Sequence, residues 1–239
     1  MEIINLESVD STNKYAKEHI NEISDKTVIS ADVQTSGRGR FDRKWNYQGM
    51  GNIYASIILK PSNKFETVYS SLTQYLCVIL SKTFEEYGVQ PKIKWPNDIL
   101  INNKKISGIL AEAVIEKNEL KGIVLGVGIN LNSTKEELEK INQPATSLNN
   151  EIGMTIDKEN FINSLLKRFY LKYNDFIQNG FALIKEDYEK RANFLGKEIT
   201  IKVFDKEING IAKEITIDGA LKIVDKNNKE QTLYMGDIL

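Results

Sequence analysis

The sequence has very few of the residues that most often carry redox, metal or nucleophilic chemistry. Among 239 residues there is one cysteine, Cys77, and one histidine, His19. A single cysteine cannot form an internal disulfide or a metal cluster, so an oxidising compartment is not required. Cys77 lies in the apolar run 76–80, which predicts a small buried side chain instead of a nucleophile. Zinc sites and catalysis by Ser-His or Cys-His pairs are therefore nearly excluded.

The sequence also lacks a net charge and a long apolar run. Its 32 basic and 33 acidic residues give a net charge of −1, so no global field attracts nucleic acid or a membrane. Any anion must be held by a local cluster. Residues 1–5 have no basic stretch before an apolar one, and no apolar run approaches membrane-spanning length. We therefore expect no membrane association and a cytoplasmic location.

Hydrophobic periodicity predicts two domains. Helical spacing predicts helices over 11–20, from Val68 to near Gly88, and around 161–176, whereas strands are predicted over 27–33, 52–60 (ended by Pro61), 98–101, 105–115 and 120–131. From Lys197 the apolar period changes to two. We predict an α+β domain over residues 1–192, with mostly hairpin-connected strands and helices flanking one side. Residues 193–239 are predicted to form a small β-barrel of SH3-like size.

The segment from Gln34 to Trp45 concentrates glycine and positive charge. Gly37 and Gly39 allow close approach of the backbone to a ligand, and four basic side chains fall within seven residues, 38–44. Guanidinium groups in this arrangement suit a phosphate or a carboxylate. A solvated basic loop, or an Arg-Gly segment that binds RNA, has the same pattern. This segment alone does not separate the three.

Two further segments carry polar residues beside predicted strands. In Lys94-Trp95-Pro96-Asn97-Asp98, Pro96 disfavours a helix, and Asp98 is either a turn former or a hard oxygen ligand for magnesium. Lys104 and Lys105 follow a hairpin turn predicted at Asn102-Asn103, where solvated lysines are also common, and a second turn is predicted at Lys117-Asn118. A third segment, Gly126-Val127-Gly128-Ile129-Asn130, is a strand with two glycines, which often marks a ligand lying against the backbone.

The order of these segments identifies a family resemblance that covers nearly the whole chain. Ser11-Thr12-Asn13 is followed by the Gly-Arg-Gly-Arg loop ending in Trp45, then by Lys-Trp-Pro-Asn-Asp and by Lys105-Ile106-Ser107-Gly108-Ile109-Leu110. Gly-Val-Gly-Ile-Asn and Pro144-Ala145-Thr146-Ser147-Leu148 complete the series. This combination closely resembles the biotin–protein ligases.

The resemblance implies a fold, a reaction and partners. The fold is a catalytic domain like that of class II aminoacyl-tRNA synthetases, a mixed sheet with flanking helices, followed by an SH3-like domain. The reaction is adenylation of biotin by Mg-ATP, then transfer of biotin to a lysine of a biotin carboxyl-carrier domain of a carboxylase. The implied cofactor is Mg2+, and biotin and ATP are substrates. No covalent enzyme intermediate is needed.

The resemblance also assigns roles to residues. Lys105 and Arg40 look catalytic, with Lys105 touching both the biotin carboxylate and the α-phosphate, and Asp98 looks like the magnesium contact. The residues that resemble biotin contacts are Ser11, Thr12, Asn13, Gln34, Gly37, Arg38, Arg40, Lys105 and Gly108. The residues that resemble ATP or adenylate contacts are Arg38, Arg40, Arg43, Trp45, Lys94, Asn97 and Asn130.

The loop departs from the family at one position. The family usually reads Gly-Arg-Gly-Arg-x-Gly-Arg, whereas Asp42 stands here at the third glycine. Asp tolerates positive φ better than most residues, so we expect the turn to survive, with a weaker grip on phosphate. We expect the loop from Gly37 to Trp45 to be mobile without ligand, because its basic side chains repel one another without an anion among them, and to become ordered with biotin and ATP.

Alternative functions and assemblies follow from the same residues. A lipoate–protein ligase shares the fold and chemistry, but its Arg-Arg-x-Ser-Gly-Gly-Gly segment does not occur here. A nucleic-acid-binding module would use the arginine loop, against which the near-zero net charge counts. The catalytic pattern starts within the first dozen residues, so we expect a dedicated ligase without a helix-turn-helix or specific DNA binding. An exposed strand edge could pair two catalytic domains in a homodimer.

Overall fold

The computed structural model describes residues 2–45, 49, 51–60 and 68–239. Up to residue 192 the strands are β1 (Ile3–Val9), β2 (Val28–Gln34), β3 (Gly37–Arg38), β4 (Lys44–Trp45), β5 (Ile53–Leu59), β6 (Lys92–Lys94), β7 (Asp98–Ile101), β8 (Lys104–Glu116) and β9 (Glu119–Ile129). The helices are α1 (Thr12–Glu18), α2 (Leu72–Glu85), α3 (Lys135–Leu138), α4 (Leu148–Ile152), α5 (Lys158–Asn179) and α6 (Lys185–Glu189). The later strands are β10 (Glu198–Val203), β11 (Lys206–Ile215), β12 (Leu221–Val224), β13 (Glu230–Leu233) and β14 (Asp237–Ile238). Pro61, the predicted end of the strand before it, lies outside the described residues.

A seven-stranded mixed sheet forms the larger domain, in the order β1-β2-β5-β9-β8-β7-β6. Strand β1 runs parallel to β2, with α1 as the connection between them, and the other neighbours are antiparallel. The predicted α+β class is confirmed. No strand was predicted for β1, which is joined to β2 through α1 and not by a hairpin turn. As an edge strand it buries none of its side chains fully, so its apolar period is weak.

Helices cover both faces of this sheet, and not one face as predicted. Successive residues of a strand point to opposite faces. Val28 and Ile57 belong to the main core under α2 and α5, whereas their neighbours Ile29 and Ile58 belong to a second core with Ala16 of α1. The short helix α1 therefore lies on the face opposite the two long helices. Ser11, which caps α1, and the first residues of α1 lie on that same face.

The two long helices pack on each other through aromatic side chains. The Tyr75 ring lies 5.1 Å from the Phe169 ring and 4.4 Å from the Phe176 ring, between centroids. The Tyr75 hydroxyl donates a hydrogen bond of 2.6 Å to the Phe169 carbonyl. These three rings are buried. The helical spacing of apolar residues that predicted both helices therefore marks the contact between them.

Two predicted turns set the hairpins that lead through β7, β8 and β9. Asn102 and Asn103 have φ of 51° and 60°, and Lys117 and Asn118 have φ of 49° and 64°. Two consecutive left-handed residues match the twist of a two-residue hairpin, and Asn tolerates this region better than most residues. The Lys117-Asn118 turn joins β8 to β9, which pair with Gly108 opposite Gly128 and with one register shift between Val114 and Ile115.

The chain ends in a five-stranded antiparallel sheet, in the order β13-β12-β11-β10-β14. Its Gly219 carbonyl accepts hydrogen bonds from Gln74 Nε2 at 2.7 Å and from Trp95 Nε1 at 3.2 Å. Gly219 has φ of +88°, and a Cβ there would lie 2.4 Å from Gln74 Oε1. A glycine is therefore required where this sheet meets the larger domain. No helix among the described residues is both long and apolar enough to cross a membrane.

Candidate active site

One cleft brings together most of the predicted site residues at the ends of the central strands. Its walls come from the start of α1, the Gly-Arg loop, β7, β8 and β9, and its rim reaches the C-terminal sheet. The predicted residues that line it are Ser11, Thr12, Asn13, Gln34, Arg38, Arg40, Arg43, Trp45, Asn97, Asp98, Lys105 and Gly108. Residues separated by almost 100 positions in the sequence thus share one cavity.

The Gly-Arg loop folds back on itself as a small hairpin. Gly37 pairs with Trp45 across β3 and β4, and a Cβ on Gly37 would lie 2.5 Å from the Trp45 carbonyl oxygen. The Gly39 amide donates to the Arg43 carbonyl at 2.7 Å. The left-handed residue of the turn between them is Phe41, with φ of 52°. The positive φ expected at Asp42 thus falls one residue earlier.

Asp237 of β14 lies between the loop arginines. One of its carboxylate oxygens is 2.9 Å from Arg40 Nη1, and the other pairs with Arg43 Nη2. Arg40 Nη1 also donates to the Gly236 carbonyl at 3.0 Å and to Asn97 Oδ1 at 3.2 Å. Burial lowers the pKa of the Arg40 guanidinium, with Asp237 opposing that shift. A carboxylate from the C-terminal sheet thus lies between Arg40 and Arg43, which still repel each other, and the expected mobility of the loop stays a prediction.

Lys105 and Asp98 form an ion pair on one face of the sheet, with Lys105 Nζ 2.8 Å from Asp98 Oδ2. Asp98 pairs with Gly108 and Leu100 pairs with Lys105, so the register shifts by one residue between them. Without this bulge, Lys105 and Gly108 would point to opposite faces, since they are three positions apart. The bulge therefore turns the lysine towards Asp98 and the cleft. Only 19% of the lysine side chain is exposed.

The segment Pro144–Leu148 braces the lysine from the other side. The Lys105 amide donates to the Pro144 carbonyl at 2.9 Å, and the Thr146 amide donates to the Lys105 carbonyl at 2.9 Å. Asn130 holds the same segment, because its Nδ2 donates to the Thr146 carbonyl at 3.1 Å. Two motifs of the sequence pattern thus fix the backbone at Lys105.

The Trp45 indole lies on the two glycines of the central strands. A Cβ on Gly128 would be 2.4 Å from Trp45 Cε2, and one on Gly108 would be 3.0 Å from Trp45 Cζ3. The Lys105 ammonium lies 5.5 Å from the centre of the indole ring, within the range of a cation–π contact. Trp45 Nε1 is buried without a hydrogen-bond partner among the described residues. It is thus a donor available inside the cleft.

Hydroxyl and amide groups gather at the opposite end of the cleft. The Ser11 hydroxyl caps α1 by accepting from the Lys14 amide at 3.4 Å. Gln34 Oε1 accepts from the Thr12 amide at 2.9 Å and from the Thr12 hydroxyl at 3.2 Å. Asn13 is also buried here, beside Gly126. The cleft therefore has a neutral hydrogen-bonding end and a charged end.

Three predicted residues lie outside the lining of this cleft. Gly37 supports the Gln34 and Trp45 side chains, Asn130 braces the neighbouring segment, and Lys94 faces an adjoining cleft near Phe204. Their binding roles stay predictions. Other lining residues carried no prediction as site residues: Gly39, Lys44, Ile109, Leu110, Val127, Gln143 and Asp237. Gly39 and Lys44 belong to the loop motif, whereas nothing in the sequence pointed to Asp237.

The described residues hold no group of three or more His, Cys, Asp or Glu side chains placed to bind a metal ion. Asp98 is the predicted metal contact, and Asp237 is the other carboxylate that lines the cleft. Magnesium is commonly bound through one or two carboxylates together with substrate phosphates. The two carboxylates therefore fit a magnesium ion that arrives with a nucleotide.

The single cysteine and histidine take no part in the cleft. Cys77 is fully buried in α2, and burial raises the pKa of its thiol well above the ordinary value. His19 stacks on Tyr15 with ring centroids 4.2 Å apart, and its Nδ1 lies 2.9 Å from the Tyr15 carbonyl. The interpretation of Cys77 as a core residue is confirmed.

Comparison with known families agrees with this geometry. The model of the biotin/lipoate A/B protein ligase family matches residues 6–130, and the model of the biotin protein ligase C-terminal domain matches residues 194–239. The chain belongs to the biotin/lipoate A/B protein ligase family. The first match spans more than half of the chain and includes every predicted site residue.

Individual relatives and solved structures are similar over most of their length. The chain is 34% identical to the bifunctional ligase/repressor BirA of Bacillus subtilis over 231 residues, which are 95% of this chain and 70% of the relative. It is 29% identical to the biotin–[acetyl-CoA-carboxylase] ligase of Paracoccus denitrificans, covering 90% of this chain and 91% of that one. The structure of the Aquifex aeolicus biotin protein ligase in complex with biotin and ATP superposes with a TM-score of 0.86 and 30% identity, covering 100% and 97% of the two chains.

Proposed function

We propose that this protein activates biotin with ATP and transfers it to a lysine of a biotin carboxyl-carrier domain. The observation that carries this proposal is the division of one cleft into a neutral end and a cationic end. Amides and hydroxyls that suit the ureido ring of biotin lie at one end. Arg40 and Lys105 lie at the other, where a carboxylate and a phosphate must meet, and Arg38 also lines the cleft.

In the first half-reaction, an oxygen of the biotin carboxylate attacks the α-phosphorus of ATP. The bond from that phosphorus to the bridging oxygen breaks, so biotinyl-5′-AMP forms and pyrophosphate leaves. Both reactants are anions, and fixed positive charge offsets their repulsion and stabilises the transition state. Lys105 is the central group, because β8 and the Pro144–Leu148 segment both hold its backbone and its ammonium points into the cleft. The Arg38 and Arg40 side chains add charge from the loop.

The nucleotide enters with Mg2+, which neutralises phosphate charge, and Asp98 is the residue that would hold the ion. Asp98 is ion-paired with Lys105. Incoming phosphate and carboxylate oxygens would take the lysine as their partner, which releases the Asp98 carboxylate for the metal. Substrate anions would thus replace Asp98 as the partner of Lys105, and the metal ion would replace Lys105 as the partner of Asp98.

In the second half-reaction, the neutral ε-amine of an acceptor lysine attacks the acyl carbon of the adenylate. An amide bond forms, AMP leaves from the acyl carbon, and the amine loses a proton. The adenylate is an activated acid, so no enzyme nucleophile is required. This agrees with the burial of Cys77 in the core. The acceptor needs only to reach the open mouth of the cleft.

Biotin is favoured over lipoate by the C-terminal part of the chain. The family description covers ligases of both acids, but the model that matches residues 194–239 describes a biotin protein ligase domain. The polar end of the cleft also favours biotin. A ureido ring supplies one carbonyl and two N–H groups for those amides and hydroxyls, whereas the dithiolane of lipoate supplies none of these.

The test is exchange of labelled pyrophosphate into ATP, with biotin, lipoate or neither present. We expect exchange that depends on biotin, and mass spectrometry should detect biotinyl-adenylate. Addition of a purified biotin carboxyl-carrier domain should then consume the adenylate and raise the carrier mass by one biotinyl group. Exchange that depends on lipoate and not on biotin would overturn the assignment.

The proposal extends to location and assembly. A ligase of this kind acts in the cytoplasm, where ATP is available, and we expect no sequence-specific DNA binding from this chain. Strand β8 continues beyond its pairing with β7 from residue 109 to Glu116, which provides a strand edge for a homodimer. Tight, operator-like DNA binding at physiological salt would contradict the expectation of a dedicated ligase.

A further inference from the structure

Asn13 lies in a slot on the sheet, between the strands on either side of Gly126. Ser56 of β5 and Leu110 of β8 both pair with Gly126 of β9. A Cβ on Gly126 would lie 2.0 Å from Asn13 Oδ1, so the amide occupies the space that a side chain would fill. Only 5% of Asn13 is exposed. Its two ends therefore face neighbouring strands, and their partners there determine its orientation.

Glu112 of β8 binds the nitrogen end of this amide from behind the cleft wall. Its Oε2 accepts a hydrogen bond of 2.8 Å from Asn13 Nδ2, and its Oε1 lies 2.5 Å from Lys17 Nζ of α1. A carboxylate accepts hydrogen bonds and does not donate them. Asn13 must therefore turn its nitrogen towards Glu112 and its oxygen away from it, and the Leu110 carbonyl accepts a second, longer hydrogen bond of 3.4 Å from the same nitrogen. The ion pair with Lys17 holds the carboxylate in place from the other side.

The orientation of Asn13 determines the directions of the hydrogen bonds among the neighbouring hydroxyl and amide groups of the cleft. Ser56 Oγ lies 2.6 Å from Asn13 Oδ1 and 2.8 Å from Thr12 Oγ1. A hydroxyl has one proton and an amide oxygen only accepts, so Ser56 donates to Asn13. The Thr12 hydroxyl then shares its one proton between Ser56 Oγ, at 2.8 Å, and Gln34 Oε1, at 3.2 Å, and the Thr12 amide donates to the same Gln34 oxygen at 2.9 Å. With its oxygen towards Thr12, Gln34 turns its nitrogen towards Gly37, where a Cβ would lie 2.5 Å from Nε2.

We propose that Glu112 is a positioning residue that sets the hydrogen-bonding polarity of the biotin end of the cleft through Asn13. This inference rests on the proposed function. Biotin presents a carbonyl oxygen and two N–H groups in one small ring, so recognition requires donors and acceptors with fixed identities. An Asn13 amide that can turn over would disturb that pattern. A site built to hydrogen-bond a substrate strongly rejects a mismatched arrangement, because buried polar groups are left unpaired.

The test variant is Glu112→Gln, which keeps the size of the side chain but can offer Asn13 either a donor or an acceptor. We expect the KM for biotin to rise about tenfold, with kcat and the KM for ATP changed less than about twofold, measured by pyrophosphate exchange. Glu116→Gln is the matched control. Glu116 lies four residues further along β8 and accepts from Asn21 Nδ2 at 3.1 and 3.2 Å, on the surface. Its kinetics and Tm should equal those of the natural protein.

A double-mutant cycle with Asn13→Ala separates positioning from a general structural effect. If Glu112 acts through Asn13, Glu112→Gln should add less than about a twofold change in KM when Asn13 is already alanine. A substrate comparison gives a second readout. Desthiobiotin keeps the ureido ring, so its KM should rise with that of biotin. 2-Iminobiotin replaces the ureido oxygen by a nitrogen donor, so the preference for biotin over this analogue should fall.

Specific results would overturn the inference without touching the proposed function. An unchanged KM for biotin in Glu112→Gln, an equal change in Glu116→Gln, or a full tenfold effect in the Asn13→Ala background would each remove Glu112 from this role. A natural protein without biotin-dependent exchange would instead overturn the proposed function itself. The two failures are therefore distinguishable from the first measurement.

Discussion

Asp237, two residues from the end of the chain, places its carboxylate 2.9 Å from Arg40 Nη1, and the two residues are 197 positions apart in the sequence. The same carboxylate pairs with Arg43. Only 17% of the Arg40 side chain and 20% of the Asp237 side chain are exposed, so solvent screens this pair weakly. The C-terminal sheet thus supplies the anion around which the arginine loop is arranged before any phosphate arrives.

We predict that Asp237→Asn loosens the arginine loop. Loss of a charge-assisted contact costs about 1–3 kcal/mol, which corresponds to roughly a tenfold or greater increase in local opening. Trypsin should therefore cut after Arg38, Arg40, Arg43 or Lys44 about tenfold faster than in the natural protein without ligands. Biotin with Mg-ATP should slow the cutting of both proteins, because phosphate oxygens then serve as the anion.

Asp225→Asn is the control for the loop experiment. Asp225 lies in the same C-terminal sheet, where it accepts from the amides of Asn227 at 2.8 Å and Lys229 at 2.9 Å in a surface turn. Its replacement should leave tryptic cutting of the arginine loop unchanged. Equal cutting of Asp237→Asn and the natural protein would mean that the ion pairs do not hold the loop.

We predict that Lys105→Ala abolishes measurable adenylate formation and leaves the fold intact. A charge-assisted contact made in the transition state is worth about 2–4 kcal/mol, or roughly two to three decades in rate. Lys104→Ala is the neighbouring control, because Lys104 is exposed at the hairpin turn. Biotin-dependent pyrophosphate exchange measures both variants, and near-normal exchange in Lys105→Ala would remove the lysine from its proposed role.

We predict that Gly128→Ala displaces the Trp45 indole. The new Cβ would come within 2.4 Å of the ring, closer than packed atoms allow, so the indole must leave the strand. Binding of biotinyl-adenylate should weaken about tenfold or more in isothermal titration, because the indole beside Lys105 moves. In a Trp45→Ala background the same glycine substitution should have little further effect. Strict additivity of the two losses would contradict this explanation.

We predict that Cys77 is inert in the folded protein. Burial raises the pKa of its thiol, so little thiolate forms near pH 8, and the side chain is also inaccessible. Iodoacetamide at pH 8 should label the thiol rapidly in guanidinium chloride and leave it unlabelled for hours in native buffer. Rapid native labelling would show that α2 opens locally on that timescale.

Local patterns predicted the parts of the fold that local physics determines. The spacing of apolar residues indicated α2 and α5, and the Asn102-Asn103 turn indicated the hairpin that delivers Lys105. The family pattern brought most lining residues of the cleft together before any geometry was known. These predictions depend on contacts within a few residues, or on a motif order that covers nearly the whole chain.

Long-range packing decided what the sequence did not reveal. The bulge that turns Lys105 towards Asp98 depends on the register between two strands, and no glycine or proline stands at the shift itself, where Ile99 pairs with Ser107 and Leu100 with Lys105. In the sequence, Glu112 is indistinguishable from an ordinary polar residue of a surface strand. Its proposed positioning role depends on the contact with Asn13, which reaches it from α1. Asp237 joins the arginines through the docking of a separate sheet. The periodicity of apolar residues does not predict such contacts, because it reflects only neighbours along the chain.

The two tryptophans of this chain stand at the cleft and at the junction between the two sheets. Trp45 covers the cleft beside Lys105, and Trp95 donates to Gly219 where the C-terminal sheet meets the larger domain. Intrinsic fluorescence therefore carries two separable signals, one from ligand occupancy and one from the junction between the sheets. With Trp45 replaced by phenylalanine, the remaining emission would report the junction alone, as an optical probe that needs no attached dye.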